Sequence, residues 1–228
     1  MVSRAKKVRK NKTTRIRKKL MVIGTEGDNK TEEIYFREIE RMQNEFHIVF
    51  ALGNETDPVS IVKNTIKTKN KEDISTRRGD VAIAVFDLDA EEKKKSQLLE
   101  AKKLTESGQV CLVTSNPCFE VWYLEHFGFS SRPFASSNEV IKELLRHYPK
   151  YQKNRCDFEL FYPLTEKAIN NCKLLNEFHA HNGAESIREF NNPRTDIYRI
   201  VDTLIDKKVS LIGNFIHSEF ENEFFRVL

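Results

Sequence analysis

The chain has little glycine, proline and cysteine, and it lacks any long apolar run. Its 8 Gly and 6 Pro among 228 residues are too few for a collagen-like or linker-dominated protein. The 4 Cys form no Cys-x-x-Cys pair, so the spacing typical of a zinc site is missing. No stretch approaches the roughly 18 apolar residues of a membrane-spanning helix, and the N-terminus lacks the pattern of a secretory signal. We therefore expect a globular, cytoplasmic protein.

The charge of the chain is divided unevenly along its length. Residues 1–19 contain ten Lys or Arg and no acid, whereas the remainder carries 28 basic and 34 acidic residues. A like-charge run of this kind does not fold by itself, but it can neutralise the phosphates of a nucleic acid. We predict a flexible basic tail over residues 1–19, which either binds nucleic acid or only solubilises the protein. The predicted nucleic-acid contacts are Lys6, Lys7, Arg9, Lys10, Arg15, Arg17, Lys18 and Lys19.

Apolar runs and helical patterns alternate over residues 20–115. Strands are predicted at 20–25, 47–52, 81–86 and 109–114. Helices are predicted at 31–46, 58–66 and 91–107, with Thr31 and Asp57 as N-caps. The apolar run at 81–86 is typical of a central strand covered on both faces. The alternation predicts an α/β core with a mainly parallel sheet flanked by helices.

Residues 116–228 have a different, mostly helical pattern. Helices are predicted at about 116–127, 137–147, 165–181 and 195–206, followed by an apolar and aromatic end. Asn116 and Pro117 are interpreted as the N-cap and first residue of the first of these helices. No linker rich in Pro, Gly or Ser separates this half, so we expect it to pack on the α/β core.

Four acidic residues follow three of the predicted strands. Glu26 follows the first strand, Asp87 and Asp89 follow the third, and Glu120 comes shortly after the fourth. Ligands of open parallel sheets bind at the carboxyl ends of the strands. If these three strands are neighbours, the four carboxylates face one cleft. Asp87 and Asp89 then share a face if the chain remains extended there, while Leu88 points into the core.

Carboxylates that lie close together repel each other unless protons or a cation compensate. Mg²⁺, or alternatively Mn²⁺, prefers such oxygen ligands and supports phosphodiester hydrolysis. Each acid also has a simpler interpretation: an isolated Asp-x-Asp often caps a strand, Glu26 suits a turn, and Glu120 suits an ion pair with Arg or His. The order of all four acids along the chain favours the metal site over these interpretations.

At these positions the sequence resembles the RloB-like family, whose core resembles the Toprim domain of topoisomerases, primases and OLD-type nucleases. The resemblance covers nearly the whole chain, and the segment around Glu120 is its most family-specific part. The matching segments are Glu26-Gly27-x-x-x-Thr31-Glu32-x-x-Tyr35-Phe36, Val85-Phe86-Asp87-Leu88-Asp89, Ser115-Asn116-Pro117-Cys118-Phe119-Glu120-x-Trp122 and Asn192-Pro193-x-Thr195.

The resemblance implies a metal-dependent nuclease in bacterial phage defence, often beside an ATPase partner. It implies that Glu26 is an acid/base or metal-linked residue and that Asp87 and Asp89 hold Mg²⁺. The loop from Glu26 to Thr31 is about one residue longer than the usual motif, so Glu32 is interpreted as a first-turn helix acid. Lys153 either neutralises the scissile phosphate or is a solvated lysine.

We therefore expect a Mg²⁺-dependent nuclease that acts on DNA or RNA, with Glu26, Glu120 and Lys153 as catalytic residues and Glu26, Asp87 and Asp89 as metal ligands. A second hypothesis is a non-catalytic nucleic-acid-binding or adaptor subunit that works with an ATPase. A phosphatase of the haloacid dehalogenase type is disfavoured, because its nucleophilic Asp belongs in the first βα unit.

Overall fold

The computed structural model describes residues 17–27, 30–51, 53–89, 92–105, 110–183 and 187–205. Its strands are β1 (Lys19–Gly24), β2 (Phe46–Ala51), β3 (Val81–Asp87), β4 (Cys111–Asn116) and β5 (Arg194–Thr195). Its helices are α1 (Thr31–Met42), α2 (Pro58–Lys71), α3 (Glu92–Thr105), α4 (Glu120–Phe127), α5 (Ser137–His147), α6 (Phe158–Phe161), α7 (Thr165–His181) and α8 (Ile197–Ile205). Short 3₁₀ turns lie at Thr76–Arg78, Tyr162–Leu164 and Arg188–Phe190.

The five strands form one sheet in the order β2-β1-β3-β4-β5. The first four are parallel, and β5 pairs antiparallel with β4. The predicted mainly parallel α/β architecture is confirmed, and β1, β3 and β4 are neighbours as the site hypothesis requires. Parallel strands end at the same edge of the sheet, so the segments that follow these three strands start from one edge.

Helices cover both faces of the sheet, because alternate strand residues point in opposite directions. On one face, Ala84 and Phe86 belong to a buried cluster with residues of α2 and α3, such as Val62 and Leu98. On the other face, the cluster around Val85 contains α1, α4, α5, α7 and α8. The C-terminal helices therefore extend the core of the α/β part, in agreement with the predicted packing.

Residues 116–119 do not begin a helix, which corrects the prediction. Asn116 is the last residue of β4 and pairs with Arg194 of β5. Its side-chain amide donates to the carbonyls of Phe190 and Asn191, at 3.0 and 3.2 Å, and is therefore engaged in holding a loop. The Asn116–Pro117 peptide is cis, and α4 begins at Glu120.

Other predicted boundaries agree to within a few residues. Asp57 caps α2 through Ser60 as predicted, whereas the cap of α1 is Lys30 and not Thr31. The predicted helices at 137–147 and 165–181 coincide with α5 and α7. The helix predicted at 195–206 starts later, since residues 194–195 form β5.

Two predicted regions fall largely outside the described residues. The apolar end at 206–228 and residues 1–16 of the basic tail belong there. The last residue of the predicted tail, Lys19, is already part of β1. Among the described helices, none is long and apolar enough to cross a membrane.

Candidate functional site

The predicted acidic residues lie where β1, β3 and β4 end. Gly24 of β1 pairs with Ala84, three residues before Asp87, the last residue of β3. Asp87 in turn pairs with Ser115 of β4. Glu26 and Glu120 follow the ends of β1 and β4, so all of these side chains start from one edge of the sheet.

The Asp87-Leu88-Asp89 segment is anchored to the chain that leaves β4. The backbone N–H of Leu88 donates to Ser115 and that of Asp89 donates to Pro117, at 2.9 and 2.8 Å. Leu88 is fully buried, as predicted. The strand ends at Asp87, and Asp89 has a left-handed backbone with φ of 52°. The extended conformation that would place both aspartates on one strand face is therefore not present.

Lys94 of α3 lies between two of the predicted metal ligands. Its Nζ is 3.5 Å from Oε1 of Glu26 and 3.4 Å from Oδ2 of Asp89. The other Asp89 oxygen accepts from Ser137 of α5 at 3.1 Å. Burial opposes the charge of Lys94, but Glu26 and Asp89 outweigh it and raise its pKa. The sequence does not reveal this cation, because Lys94 lies within a run of three lysines, a pattern that is typical of a solvent-exposed helix surface.

Glu120 is fully buried and is held by a tyrosine. The hydroxyl of Tyr151 donates to Oε1 of Glu120 at 2.5 Å. Within the described part of the chain, Oε2 of Glu120 has no hydrogen-bond partner. Burial, followed by the neighbouring Glu120, raises the pKa of Tyr151. The interpretation of Glu120 as an ion-pair partner of Arg or His is therefore wrong.

Glu32 belongs to the same group, although the sequence favoured an ordinary first-turn helix acid. Only 1% of its surface is exposed. Burial raises its pKa well above the usual range, and Glu120 and Glu26 raise it further. The next residue, Glu33, pairs instead with Arg37 at the surface, with 2.6 Å between Oε1 and Nη2. Two consecutive acids of one helical turn thus differ completely in environment.

Asp87 is influenced by every other carboxylate of this group. Burial raises its pKa well above the usual range, and each neighbouring carboxylate raises it further. Burial and Asp89 also raise the pKa of Glu26, although Lys94 opposes this. We call the set that surrounds Asp87 the acidic cluster. Its members are Glu26, Glu32, Asp87, Asp89 and Glu120.

The acidic cluster matches a hard divalent cation in the chemistry of its ligands. All its donors are carboxylate oxygens, and buried carboxylates of raised pKa need a proton or a cation. The geometry is not preassembled: across the described ranges, no group of three or more His, Cys, Asp or Glu side chains is arranged to hold a metal ion. Instead, Lys94 contributes the positive charge between Glu26 and Asp89.

The predicted basic residues have different positions. Lys153 is exposed, and its charge lowers the pKa of Glu32, so it lies at the rim of the acidic cluster. Arg17 is 3.7 Å from Asp80, and Lys19 is 2.5 Å from Glu45. Among the predicted nucleic-acid contacts, Lys6, Lys7, Arg9, Lys10 and Arg15 lie outside the described residues.

The structure thus brings together Glu26, Asp87, Asp89 and Glu120, with Lys153 near them. It adds Glu32, Lys94 and Tyr151, of which only Glu32 had a sequence signal, since it lies in the motif that starts at Glu26.

Comparison with known proteins identifies a family. A family model described as RloB-like protein matches residues 21–204, a range that contains the acidic cluster and all the described helices but the last residue of α8. No curated protein and no solved structure matches the chain.

Proposed function

The chain belongs to the RloB-like family, and we propose that it is a divalent-metal-dependent nuclease that hydrolyses phosphodiester bonds in DNA or RNA. The observation that carries this proposal is the burial of Asp87 among four other carboxyl groups at the end of the parallel strands. A cation bound there would offset the repulsion that helps to raise the pKa values of Glu26, Glu32 and Asp87. We place the protein in the cytoplasm, in bacterial phage defence with an ATPase partner.

Asp87, Asp89 and Glu26 are the proposed ligands of Mg²⁺ or Mn²⁺. When bound, such an ion polarises a phosphate and lowers the pKa of a coordinated water. Ser137 orients Asp89 from the side opposite Lys94, since each contacts a different carboxylate oxygen. Metal binding requires Lys94 to release Glu26 and Asp89, because its ammonium lies between them.

Glu120 and Glu32 are the proposed proton carriers. Tyr151 fixes one oxygen of Glu120 and leaves Oε2 to accept a proton from the attacking water. Burial raises the pKa of Glu32 and so favours its protonated form. It can therefore supply a proton to the leaving oxygen. Lys153, at the rim, is positioned to neutralise the phosphate of an incoming strand.

The test uses tRNA, plasmid and single-stranded DNA as substrates for the purified chain, with Mg²⁺, Mn²⁺ or EDTA. We expect metal-dependent cleavage that is lost in Asp89→Asn. Asp73→Asn is a matched control, because Asp73 is exposed and shares the left-handed backbone of Asp89, with φ of 50° against 52°. Mn²⁺ binding by electron paramagnetic resonance gives a readout that does not depend on the partner.

A second candidate function has a specific observation in its favour. Lys94 already provides the acidic cluster with a cation, which suits a non-catalytic nucleic-acid-binding or adaptor subunit. This function predicts no Mn²⁺ binding and no cleavage with any metal. It also predicts nucleic-acid binding whose salt dependence decreases when residues 1–16 are deleted, because fewer phosphates are neutralised.

A further inference from the structure

A basic segment lies at the end of α5 and in the loop that leads to α6. Between Glu143 and Asp157 the chain contains four Lys or Arg and no acid. They are Arg146, Lys150, Lys153 and Arg155. Outside the predicted basic tail, by contrast, the chain has an excess of acids, with 28 basic and 34 acidic residues. We call residues 146–155 the basic strap.

The basic strap lies along α4, from the last residue of that helix back to the first. His147 stacks on Phe127, the last residue of α4, with 5.5 Å between the ring centroids. Four residues later, the hydroxyl of Tyr151 donates to Glu120, the first residue of α4. The two contacts are separated by roughly 10 Å along the helix axis, which is the length of about three nucleotides in one strand of B-DNA. The strap therefore leads directly to the acidic cluster.

The side chains of the basic strap divide into an inner and an outer set. Tyr148 and Tyr151 are buried and pack against aromatic residues of α4 and α6. Lys150 and Lys153 are exposed, and within the part of the chain that the structure describes neither has a carboxylate oxygen within 4 Å. The positive charge of these two lysines is therefore available to an anion from solution.

The two arginines of the basic strap have acidic neighbours. Nη1 of Arg146 is 2.7 Å from Glu143 on the same helix. Nε of Arg155 is 3.4 Å from Asp157, and 63% of the Arg155 side chain is exposed. Because the second pair is longer, the guanidinium of Arg155 is the more available of the two for a phosphate.

Hydrogen bonds fix the basic strap to the start of α1. The backbone N–H of Asn154 donates to Oγ1 of Thr31 at 3.1 Å. In return, the backbone N–H of Lys30 donates to the side-chain oxygen of Asn154 at 2.9 Å. The next residue of α1 is Glu32, a member of the acidic cluster, and the charge of Lys153 acts on it. The exposed cations are therefore held at fixed positions beside the proposed active centre.

The predicted basic tail joins the fold at the opposite edge of the sheet. Lys19 is the first residue of β1, and Arg17 contacts Asp80, just before β3 begins. Glu26 follows the other end of β1, so six strand residues, or roughly 20 Å, separate this edge from the acidic cluster. A nucleic acid held only at that edge would not lie over the carboxylates. A cationic surface at the carboxyl ends of the strands is needed as well.

We propose that the basic strap is the surface on which the nucleic-acid substrate lies, with Lys150, Lys153 and Arg155 in contact with backbone phosphates. The proposal rests on the proposed function and names the surface that its substrate uses. Because the cations are exposed and both tyrosines are buried, the strap binds phosphates rather than bases, and its binding does not depend on sequence. Tyr151 belongs to the strap and also positions Glu120, so substrate binding and proton transfer share one structural element.

The experiment measures binding of the full chain to labelled duplex DNA and to labelled single-stranded RNA by fluorescence anisotropy. EDTA is present, so that no metal-dependent cleavage occurs. Affinities are measured over a range of salt concentrations, because each phosphate contact contributes about 0.9 to the slope of log K against log salt on duplex DNA. We expect the triple variant Lys150→Ala, Lys153→Ala, Arg155→Ala to reduce the magnitude of this slope by about 2 to 3 and to weaken binding about tenfold or more at low salt.

The matched control is a triple variant of α2. Lys63→Ala, Lys67→Ala, Lys71→Ala removes the same number of positive charges from exposed positions of a helix on the other face of the sheet. We expect this variant to keep the wild-type slope. Residues 1–19 are present in all three proteins, so their contribution to binding cancels. Circular dichroism and thermal melting establish that each variant is folded.

The proposal is overturned if the wild type binds neither nucleic acid, if the folded strap variant keeps the wild-type slope, or if the two triple variants reduce the slope equally. A wild-type slope would assign the exposed cations to solvation or to an acidic protein partner. Failure of the nuclease proposal has a different signature. Absence of cleavage with Mg²⁺ or Mn²⁺, together with a reduced slope in the strap variant, supports the strap as a nucleic-acid surface and favours the adaptor function.

Discussion

The two ends of α4 each bury a glutamate, but in opposite environments. Glu120, at the first residue of the helix, lies among other carboxyl groups and accepts a hydrogen bond from Tyr151. Glu125, near the last turn, is 2% exposed, and burial alone is the cause of its raised pKa. The first environment concentrates negative charge, and the second isolates one carboxyl. Removing charge should therefore have different consequences at the two ends.

The difference shows why burial alone does not define the role of an acid. At the acidic cluster, repulsion between carboxylates adds to the cost of desolvation. A bound cation is therefore attracted by every member of the group. At Glu125, among the residues that the structure describes, the missing element is a hydrogen-bond partner for Oε2, and no neighbouring carboxylate contributes to its raised pKa. A metal ion is the matching partner for the first environment, whereas a proton is sufficient to neutralise the single carboxyl of the second.

The largest expected effect is loss of cleavage on neutralising the centre of the acidic cluster. We expect Asp87→Asn to reduce the cleavage rate by roughly a thousandfold or more, because it removes a proposed metal ligand. The same variant should melt at a higher temperature at pH 8, since the raised pKa of Asp87 means that its charge destabilises the fold above acidic pH. The measurements are initial cleavage rates and thermal melts.

Asp57→Asn is a useful control for this substitution. Asp57 caps α2, and its pKa is lowered because hydrogen bonds from Ser60 outweigh its slight burial, so its charge stabilises the fold. The Asp57→Asn variant should therefore be less stable than the wild type at pH 8, where the Asp87→Asn variant should be more stable. Wild-type cleavage by Asp87→Asn would contradict the assignment of the acidic cluster as the active centre.

The next effect concerns the other end of α4. The pKa of Glu125 is raised from its ordinary value of 4.5 to about 8, so the folded state binds more protons than the unfolded state between these limits. The contribution of Glu125 to the free energy of unfolding is therefore complete below about pH 4.5 and is lost as the pH rises through 8. Relative to Glu125→Leu, we expect the free energy of unfolding of the wild type to fall by roughly 4 kcal/mol between pH 4.5 and 8.

Urea denaturation of both proteins at a series of pH values measures this difference. Because Leu does not titrate, the wild-type curve should fall more steeply with pH than the Glu125→Leu curve. Parallel curves would show that the Glu125 carboxyl is ionised in the folded protein at little cost, which would remove the contrast between the two ends of α4.

The sequence was sufficient to predict the sheet and the acids at its edge. Strand ends are visible as apolar runs, and parallel strands bring their carboxyl ends to one edge, so Glu26 and Asp87 were identified without coordinates. The segment at 116–119 was predicted incorrectly, because an Asn-Pro pair also suits a helix start. In the structure, pairing with Arg194 keeps Asn116 extended, and that contact joins residues distant in sequence.

The rest of the site depends on such long-range contacts. Tyr151 meets Glu120 only after the chain has passed through α4 and α5, and Lys94 reaches Glu26 from another βα unit. Neither residue has a local pattern that distinguishes it from core tyrosines or solvated lysines. Glu125 has none either, because an acid on the apolar face of a helix is recognised only when the packing of that face is known.

A smaller effect is expected from removing the hydrogen bond that positions Glu120. We expect Tyr151→Phe to lower kcat roughly tenfold with little change in KM, because the ring remains packed while Glu120 loses its donor. Tyr148→Phe is the matched control, since the Tyr148 hydroxyl also donates to a carboxylate, that of Asp157, outside the acidic cluster. Equal losses in the two variants would assign Tyr151 a general structural role.

The smallest expected effect, and the one that best separates the two proposed functions, comes from Lys94. We expect Lys94→Met to bind Mn²⁺ more tightly, by about tenfold or less, since the metal no longer has to displace an ammonium from Glu26 and Asp89. Lys93→Met, at an exposed position of the same helix, should bind like the wild type. Without metal, Lys94→Met should be less stable at neutral pH, because Glu26 and Asp89 lose their counter-charge. If Mn²⁺ neither binds Lys94→Met nor restores its stability, the lysine is the permanent cation of the acidic cluster and the adaptor function is favoured over the nuclease.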